Sequence, residues 1–143
     1  MTILDAALAW AARGFRVFPI TPGDKVPPRG LAWKIEATTD PAKIRAWWAF
    51  EPNYNYAVAA GEGTLIVDVD AAKNGFAALL DLDLPDTLTV KTPGGGMHLY
   101  MRGPDVQNSV DRIAPGIDIR SAGGYVVGPG SFFADHGGKK GYT

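Results

Sequence analysis

The segment Thr64–Asp70, which reads TLIVDVD, constrains the fold more than any other part of the sequence. Its apolar run, Leu65–Val67, is typical of a buried strand, and Asp-Val-Asp follows it. Because alternate residues of a strand face the same side, the Asp68 and Asp70 carboxylates are expected to point into one space. They would repel each other there unless a cation lay between them, and the hard ions Mg²⁺ and Mn²⁺ suit oxygen ligands. The segment therefore predicts a metal site at the end of a buried strand; the plainer alternative is a strand that runs into a polar turn, or a helix that Asp70 caps.

Helices are expected early in the chain and strands in its second half. An amphipathic helix is predicted over 2–13, and a second helix begins where Asp40 can act as N-cap and Pro41 as the first helical residue. The other predicted elements are strands at 15–20, 56–60, 64–70, 87–92, 97–102, 116–120 and 125–130, a short helix at 72–82, and loops at 21–34 and 103–115. This order predicts an α+β fold with a mostly antiparallel or mixed sheet. Residues 1–143 are expected to form a single domain whose tail, 134–143, is flexible or a cut linker.

The charge balance excludes a protein that coats nucleic acid non-specifically, because such a protein carries a large positive excess. Lys and Arg number 14 and Asp and Glu 15, which gives a formal net charge of −1. The absence of cysteine excludes disulfides, thiolate zinc sites and cysteine nucleophiles. No apolar run approaches the roughly 18 residues that cross a membrane, and no basic flank precedes the first apolar stretch. We therefore expect a cytoplasmic protein with no membrane partner.

A run of three glycines before His98 is a candidate phosphate site between two predicted strands. Glycines such as Gly95 and Gly96 let backbone N–H groups approach an anion closely, and a nest of such amides favours phosphate. His98 begins the next strand, and Lys91 and Thr92 lie beside the turn as further candidate donors. A glycine-rich hairpin with an incidental histidine explains the same pattern.

A third acid, Asp118, lies inside the short apolar strand that reads GIDIR. A carboxylate between two isoleucines is costly to bury unless it is paired or bound to metal. Arg120 shares its face by alternation, so an internal salt bridge is one interpretation. The other assigns Asp118 to the metals and Arg120 to a phosphate. Three carboxylates that hold two ions about 3.5–4 Å apart are what in-line nucleotidyl transfer requires.

Together these motifs resemble the bifunctional primase–polymerase (Prim-Pol) domain of the archaeo-eukaryotic primase superfamily, found in replication proteins of phages, plasmids and mobile elements. The resemblance covers nearly the whole chain. Four segments carry it: PITPGDKVPPRGLAWK (19–34), NYAVAAGEGTLIVDVD (55–70), TPGGGMHLYM (92–101) and GIDIRSAGGYVVGPGS (116–131). It implies a primase-type fold, in which an α/β unit packs with an RRM-like antiparallel or mixed sheet unit and the active site lies in the cleft between them.

The resemblance also implies roles for individual residues. Asp68, Asp70 and Asp118 would be catalytic and would bind two Mg²⁺ or Mn²⁺ ions. His98 would contact the phosphates of the incoming nucleotide. Lys25 resembles an early lysine of the family and is assigned to nucleotide or template contact.

The implied activity is template-directed nucleotidyl transfer to a primer 3′-hydroxyl, by a DNA polymerase or primase, in the cytoplasm of a bacterial or archaeal host. The implied partners are a DNA primer–template or single-stranded DNA template, dNTPs or NTPs, and a replicative helicase as a domain or separate protein. Gly94 stands where many members carry a hydroxyl residue, so one phosphate donor is missing. Nothing in the chain resembles the helical bundle linked to primer initiation, which favours extension over priming.

Two other functions stay open as alternatives. One is a non-catalytic module that binds nucleic acid or nucleotide, with Tyr100 and Tyr125 as stacking residues. Its weakness is that the acid trio would repel phosphate without a metal. The other is a phosphatase of the haloacid-dehalogenase type, whose strand also ends in D-x-D. That family needs a threonine or valine where this chain has Ala72.

Overall fold

The structure is a computed structural model, and it describes residues 1–80, 82, 84, 87–135 and 138–143. These residues divide into two compact units. The first is formed by Met1–Ala59 and Val127–Tyr142, and the second by Ala60–Val126 with Thr143. Their polar side chains lead us to expect four further residues to be exposed to solvent, and these lie outside the described residues: Asp81, Asp83, Asp86 and His136.

Helix α1 (Ile3–Ala12) opens the first unit and confirms the predicted amphipathic helix. A reciprocal pair of hydrogen bonds sets its start. The Asp5 N–H donates to the Thr2 hydroxyl at 3.1 Å, and the Thr2 N–H donates to the Asp5 carboxylate at 2.9 Å. Gly14, with a φ of +93°, follows the last turn in the left-handed conformation that glycine adopts without strain.

Helix α3 (Pro41–Phe50) begins where the Asp-Pro pair predicts. The Asp40 carboxylate accepts a hydrogen bond from the Ala42 N–H at 3.0 Å, which satisfies one donor of the first turn. The helix buries Ile44 and Trp48 completely or almost completely. Within the described ranges, no helix is long and apolar enough to cross a membrane.

A short helix, α2 (Trp33–Glu36), begins inside the segment that the sequence predicts to be a loop over 21–34. The prolines and glycines of that segment hide the helix, because its four residues are too few to show a helical period. The Glu36 carboxylate accepts from the Ala32 N–H at 2.9 Å and so closes the turn on itself. The Trp33 ring stacks on Phe18 at 4.8 Å, which anchors the helix in the first unit.

The first unit contains the antiparallel strands β1 (Val17–Ile20) and β2 (Asn55–Ala59), with Val17 opposite Val58. Every residue of both strands is buried. Strand β8 (Tyr125–Val127) follows β2 in the order of this sheet, and its last residue belongs to the first unit. The predicted strands of this part of the chain are confirmed.

The C-terminal residues differ from the flexible tail predicted over 134–143. Strands β9 (Phe132–Asp135) and β10 (Gly138–Gly141) form an antiparallel pair. Tyr142 is buried, and its carbonyl accepts from the Gly130 N–H at 2.9 Å. The polar, glycine-rich composition conceals this pairing, because one aromatic side chain and the backbone hydrogen bonds hold it.

In the described part of the second unit, five strands form one antiparallel sheet in the order β4–β5–β3–β7–β6. Their bounds are β3 Thr64–Val69, β4 Leu88–Lys91, β5 Met97–Arg102, β6 Ser109–Ala114 and β7 Ile117–Arg120. Strand β3, which carries Asp68, is therefore the middle strand of the sheet. The architecture confirms the predicted α+β fold with antiparallel sheets.

One face of this sheet is apolar and packs under α4 (Gly75–Leu80), which follows a 3₁₀ turn over Ala71–Lys73. The predicted helix over 72–82 is thus interrupted, because Asn74 adopts a φ of +59° between the two pieces. The buried cluster beneath α4 consists of Val67, Val69, Leu99, Ile117 and Ile119. Since these residues alternate with the predicted site residues along the same strands, the opposite face carries the chemistry.

Strand β6 corrects the loop predicted over 103–115. Its ends pair with β7 through Ser109–Ile119 and Ala114–Ile117, so the four residues 110–113 lie opposite the single residue Asp118. This bulge destroys the alternation of apolar and polar residues by which a strand is recognised.

Replacing Tyr142 by alanine distinguishes a packed C-terminal pair of strands from a frayed tail. We expect Tyr142→Ala to lower the free energy of unfolding by about 3 kcal/mol, because a buried aromatic ring is removed. Thr143→Ala, at an exposed position, is the matched control. Urea denaturation followed by tryptophan fluorescence measures both. Equal stability of the two variants would contradict the packed arrangement.

Candidate active site

Three predicted site residues lie side by side in one row across the five-stranded sheet. Asp68 of β3 is the register partner of His98 of β5 on one side and of Asp118 of β7 on the other. Directly opposite residues of antiparallel strands project from the same face, with Cβ atoms about 4.5–5.5 Å apart. Segments far apart in the sequence therefore meet in one row.

The imidazole of His98 lies against Asp68. Its Nε2 is 3.6 Å from the Asp68 Oδ1, and its side chain is 6% exposed whereas that of Asp68 is 28% exposed. The ring also meets the Tyr100 ring edge-on, with centroids 6.5 Å apart. Burial and this aromatic neighbour hold the imidazole in one place beside a carboxylate that solvent can reach.

Both carboxylate oxygens of Asp118 accept hydrogen bonds. The Asp111 N–H donates to Oδ1 at 3.0 Å, and the Arg120 guanidinium donates to Oδ2 at 3.3 Å. The side chains of Asp118 and Arg120 are 19% and 27% exposed, so the pair is largely but not completely buried. The internal salt bridge, one of the two sequence interpretations of this strand, is therefore formed.

Asp70 lies just beyond β3 and caps the 3₁₀ turn. Its Oδ1 accepts from the Ala72 N–H at 2.9 Å, and the residue is exposed. Its own N–H donates to the Gly116 carbonyl at 2.7 Å, which ties the end of β3 to the turn before β7. The plainer interpretation of Asp70 as a cap is thus what the structure contains, and its role as a metal ligand stays a prediction.

The oxygen atoms of the Asp68 and Asp118 carboxylates are of the type that a hard divalent ion prefers. Among the described residues, no three side chains of Asp, Glu, His or Cys converge into a ready cation site. Mg²⁺, however, is usually bound through one or two carboxylates together with waters and substrate phosphates. Asp68 and Asp118, directly opposed on one face, are such a pair of carboxylates.

The glycine turn between β4 and β5 uses its amides internally. The Gly95 N–H donates to the Thr92 carbonyl at 3.1 Å, and the Gly96 N–H donates to the Thr92 hydroxyl at 3.1 Å. A side chain at Gly96 would place its Cβ 2.1 Å from the Val69 carbonyl oxygen at the end of β3. The close approach of two backbones thus explains this glycine, and phosphate binding by the two amides stays a prediction.

The two predicted lysines lie in different units. Lys91 pairs with Met97, which pairs with Val69, so Lys91 belongs to the opposite face of the sheet from Asp68. Lys25 belongs to the first unit, where its ammonium lies 4.3 Å from the centroid of the Phe133 ring.

Sequence reasoning missed Asp111 and Lys73. The Asp111 carboxylate accepts from the Gly116 N–H at 2.8 Å and from the Lys73 ammonium at 3.0 Å. These two donors hold the pKa of Asp111 below its ordinary value, and the hydrogen bond from Lys73 to Asp111 raises the pKa of that lysine. The bulge that brings Asp111 to Asp118 interrupts the strand pattern, so the sequence carries no signal for this contact.

Replacing Gly96 by alanine tests the close approach of the turn to β3. The added Cβ would overlap a backbone oxygen that cannot swing aside, so we expect the free energy of unfolding to fall by about 1–3 kcal/mol. Gly94→Ala is the matched control, because the space around Gly94 is open and its φ is not positive. Chemical denaturation of both variants measures the difference. A Gly96→Ala chain as stable as Gly94→Ala would contradict this contact.

Comparison with known protein families gives a match over almost the whole sequence. Residues 7–143 match the family described as bifunctional DNA primase/polymerase, N-terminal (Prim-Pol). No curated protein matches the sequence. The match covers both units and every residue of the row across the sheet. The chain therefore belongs to the Prim-Pol family of bifunctional DNA primases/polymerases.

Proposed function

We propose that this chain transfers nucleotides to a primer 3′-hydroxyl as a template directs, in the replication of a phage, plasmid or mobile element. The general primase/polymerase role comes from the family, and it implies DNA and nucleotides as ligands. One observation supports the finer proposal for this chain: Asp68 and Asp118 are register partners on one face of the sheet. Two neighbouring strands thus hold both carboxylates in a fixed relation, as preorganised catalysis requires.

Asp68 and Asp118 are the residues that would hold a Mg²⁺ or Mn²⁺ ion, and Asp70 is proposed as a ligand of a second ion. When bound, the ions would lower the pKa of the attacking hydroxyl and stabilise charge on the transferred phosphate. The contribution of the chain is geometric. Strands β3 and β7 set the spacing of the two carboxylates, and the hydrogen bonds to Asp118 set its orientation.

Arg120 and His98 are proposed to bind the triphosphate of the dNTP or NTP. Both residues project from the same face as Asp68, and a guanidinium suits the geometry of phosphate oxygens. Arg120 is paired with Asp118, so binding by the triphosphate would exchange one anionic partner for another. The remaining proposed contacts to nucleotide or template are Lys25, Lys91, Thr92, Gly95 and Gly96.

The finer fold assignment belongs to the same proposal. An RRM-like unit is an antiparallel sheet of four strands. The consecutive strands β4–β5–β3–β7 form such a sheet, with α4 on its apolar face. This order supports the RRM-like unit that the sequence resemblance implies.

The alternative of a non-catalytic binding module receives less support from the geometry. Base stacking needs an aromatic ring that is open to solvent. Of the two predicted stacking residues, Tyr100 is 3% exposed and Tyr125 is partly buried. The family match favours the primase/polymerase role over the phosphatase alternative.

Primer extension tests the proposal. A labelled primer–template would be incubated with dNTPs or NTPs and with Mg²⁺ or Mn²⁺, and the same template without primer would report priming. We expect extension that a chelator stops. Asp68→Asn and Asp118→Asn should each lower the rate by at least about 100-fold, since even outer-shell partners of metals contribute 10- to 100-fold.

Asp105→Asn is the matched control for these two variants. Asp105 lies in the same unit, and its exposed carboxylate accepts from the Glu62 N–H at 3.0 Å, a bond that an asparagine oxygen preserves. We expect its extension rate to equal that of the unaltered chain. Unchanged extension by both Asp68→Asn and Asp118→Asn would contradict the proposed site. A folded chain that binds Mn²⁺ and nucleotide yet extends no primer would favour the binding module.

A further inference from the structure

Asp111 adopts a backbone conformation that aspartate rarely takes inside a strand. Its φ is +53°, in the left-handed region that favours glycine. It lies in the bulge of β6, where four residues face the single residue Asp118 of β7. Such a conformation costs free energy and persists only where the surroundings enforce it.

Two contacts of the Asp111 side chain enforce this conformation. Its Oδ1 accepts from the Gly116 N–H at 2.8 Å, and its Oδ2 accepts from the Lys73 ammonium at 3.0 Å. These donors come from different elements, since Lys73 ends the 3₁₀ turn after β3 and Gly116 precedes β7. The carboxylate is therefore held at both oxygens, and the backbone of the bulge is held with it.

The held backbone places the Asp111 N–H against Asp118. This N–H donates to the Asp118 Oδ1 at 3.0 Å, while Arg120 occupies the Oδ2 side. An ordinary β6 residue in register could not offer its N–H to a side chain of β7, because ladder hydrogen bonds join backbone to backbone. The bulge thus turns a backbone donor of the edge strand into an orienting contact for a side chain.

We propose that Asp111 is a positioning residue that fixes the carboxylate of Asp118 for metal binding, with Lys73 as its anchor. This inference rests on the proposed function, because it assigns Asp118 to a divalent ion. Hydrogen-bonding partners of a metal ligand set its orientation, and their loss typically weakens metal affinity 10- to 100-fold. Asp111 touches neither substrate nor metal and acts through Asp118.

Mn²⁺ binding to the metal-free chain tests the proposal without relying on catalysis. The Mn²⁺ left free in a titration is counted by EPR, and the thermal midpoint of unfolding is recorded for each chain. Asp111→Gly tolerates the positive φ but lacks the anchored carboxylate. We expect it to weaken Mn²⁺ binding about tenfold. Asp111→Asn also tolerates this φ and keeps an acceptor for Gly116 but loses the ion pair with Lys73, so its Mn²⁺ affinity should lie between that of Asp111→Gly and that of the unaltered chain.

Lys73→Met is the second variant. Lys73 is half exposed, and its replacement leaves Asp111 itself unsubstituted. We expect weaker Mn²⁺ binding in the same direction as for Asp111→Gly, with the thermal midpoint little changed. Asp105→Asn again serves as the carboxylate control and should bind Mn²⁺ as the unaltered chain does.

The failure of this inference and the failure of the proposed function give different results. If Asp118→Asn loses Mn²⁺ while folded Asp111→Gly and Lys73→Met bind it normally, the positioning role is overturned and the proposed site stands. If Asp118→Asn itself binds Mn²⁺ normally, the proposed site and the positioning role are both overturned. A lower thermal midpoint with normal Mn²⁺ affinity would show that Asp111 serves the fold alone.

Discussion

The pairing register around β3 is the constraint on which the rest of the site depends. A shift of β3 by one residue against both of its neighbours would move its side chains to the other face of the sheet. Asp68 would then lose both of its row partners, His98 and Asp118. Burial of the apolar cluster under α4 prevents such a shift, because the same shift would expose Val67 and Val69. The hydrophobic face thus fixes the geometry of the polar face.

The polar face has its own electrostatic problem, since two carboxylates directly opposite each other are destabilising. Each one has a separate polar neighbour. The His98 imidazole lies beside Asp68, while the Arg120 guanidinium and the Asp111 N–H bind Asp118. The two carboxylates therefore lie side by side in strands that still pair. An ion bound as we propose would compete with these neighbours rather than fill a preformed cage.

Local signals account for what the sequence could predict. Capping residues predicted the start of α3, and alternation placed Asp118 and Arg120 on one face. Strand pairing is not a local property, and nothing in the 49 residues between Asp68 and Asp118 says that their strands pair. Alternation also stops where a strand stops: β3 ends at Val69, so the rule fails at Asp70, which caps the next element as the alternative interpretation predicted. The bulge of β6 was not predicted for the same reason, since a positive φ at one residue breaks the period of two.

The bulge also affects how this sheet meets other molecules. Strand β6 is an edge of the sheet, and Val110 and Ile113 are exposed on it. A regular edge strand with exposed apolar side chains offers a template on which a strand of another chain can add, and such addition leads to aggregation. The four residues of the bulge break the row of backbone donors and acceptors that an incoming strand would need. The irregularity that aims a donor at Asp118 therefore also protects the sheet against self-association along this edge.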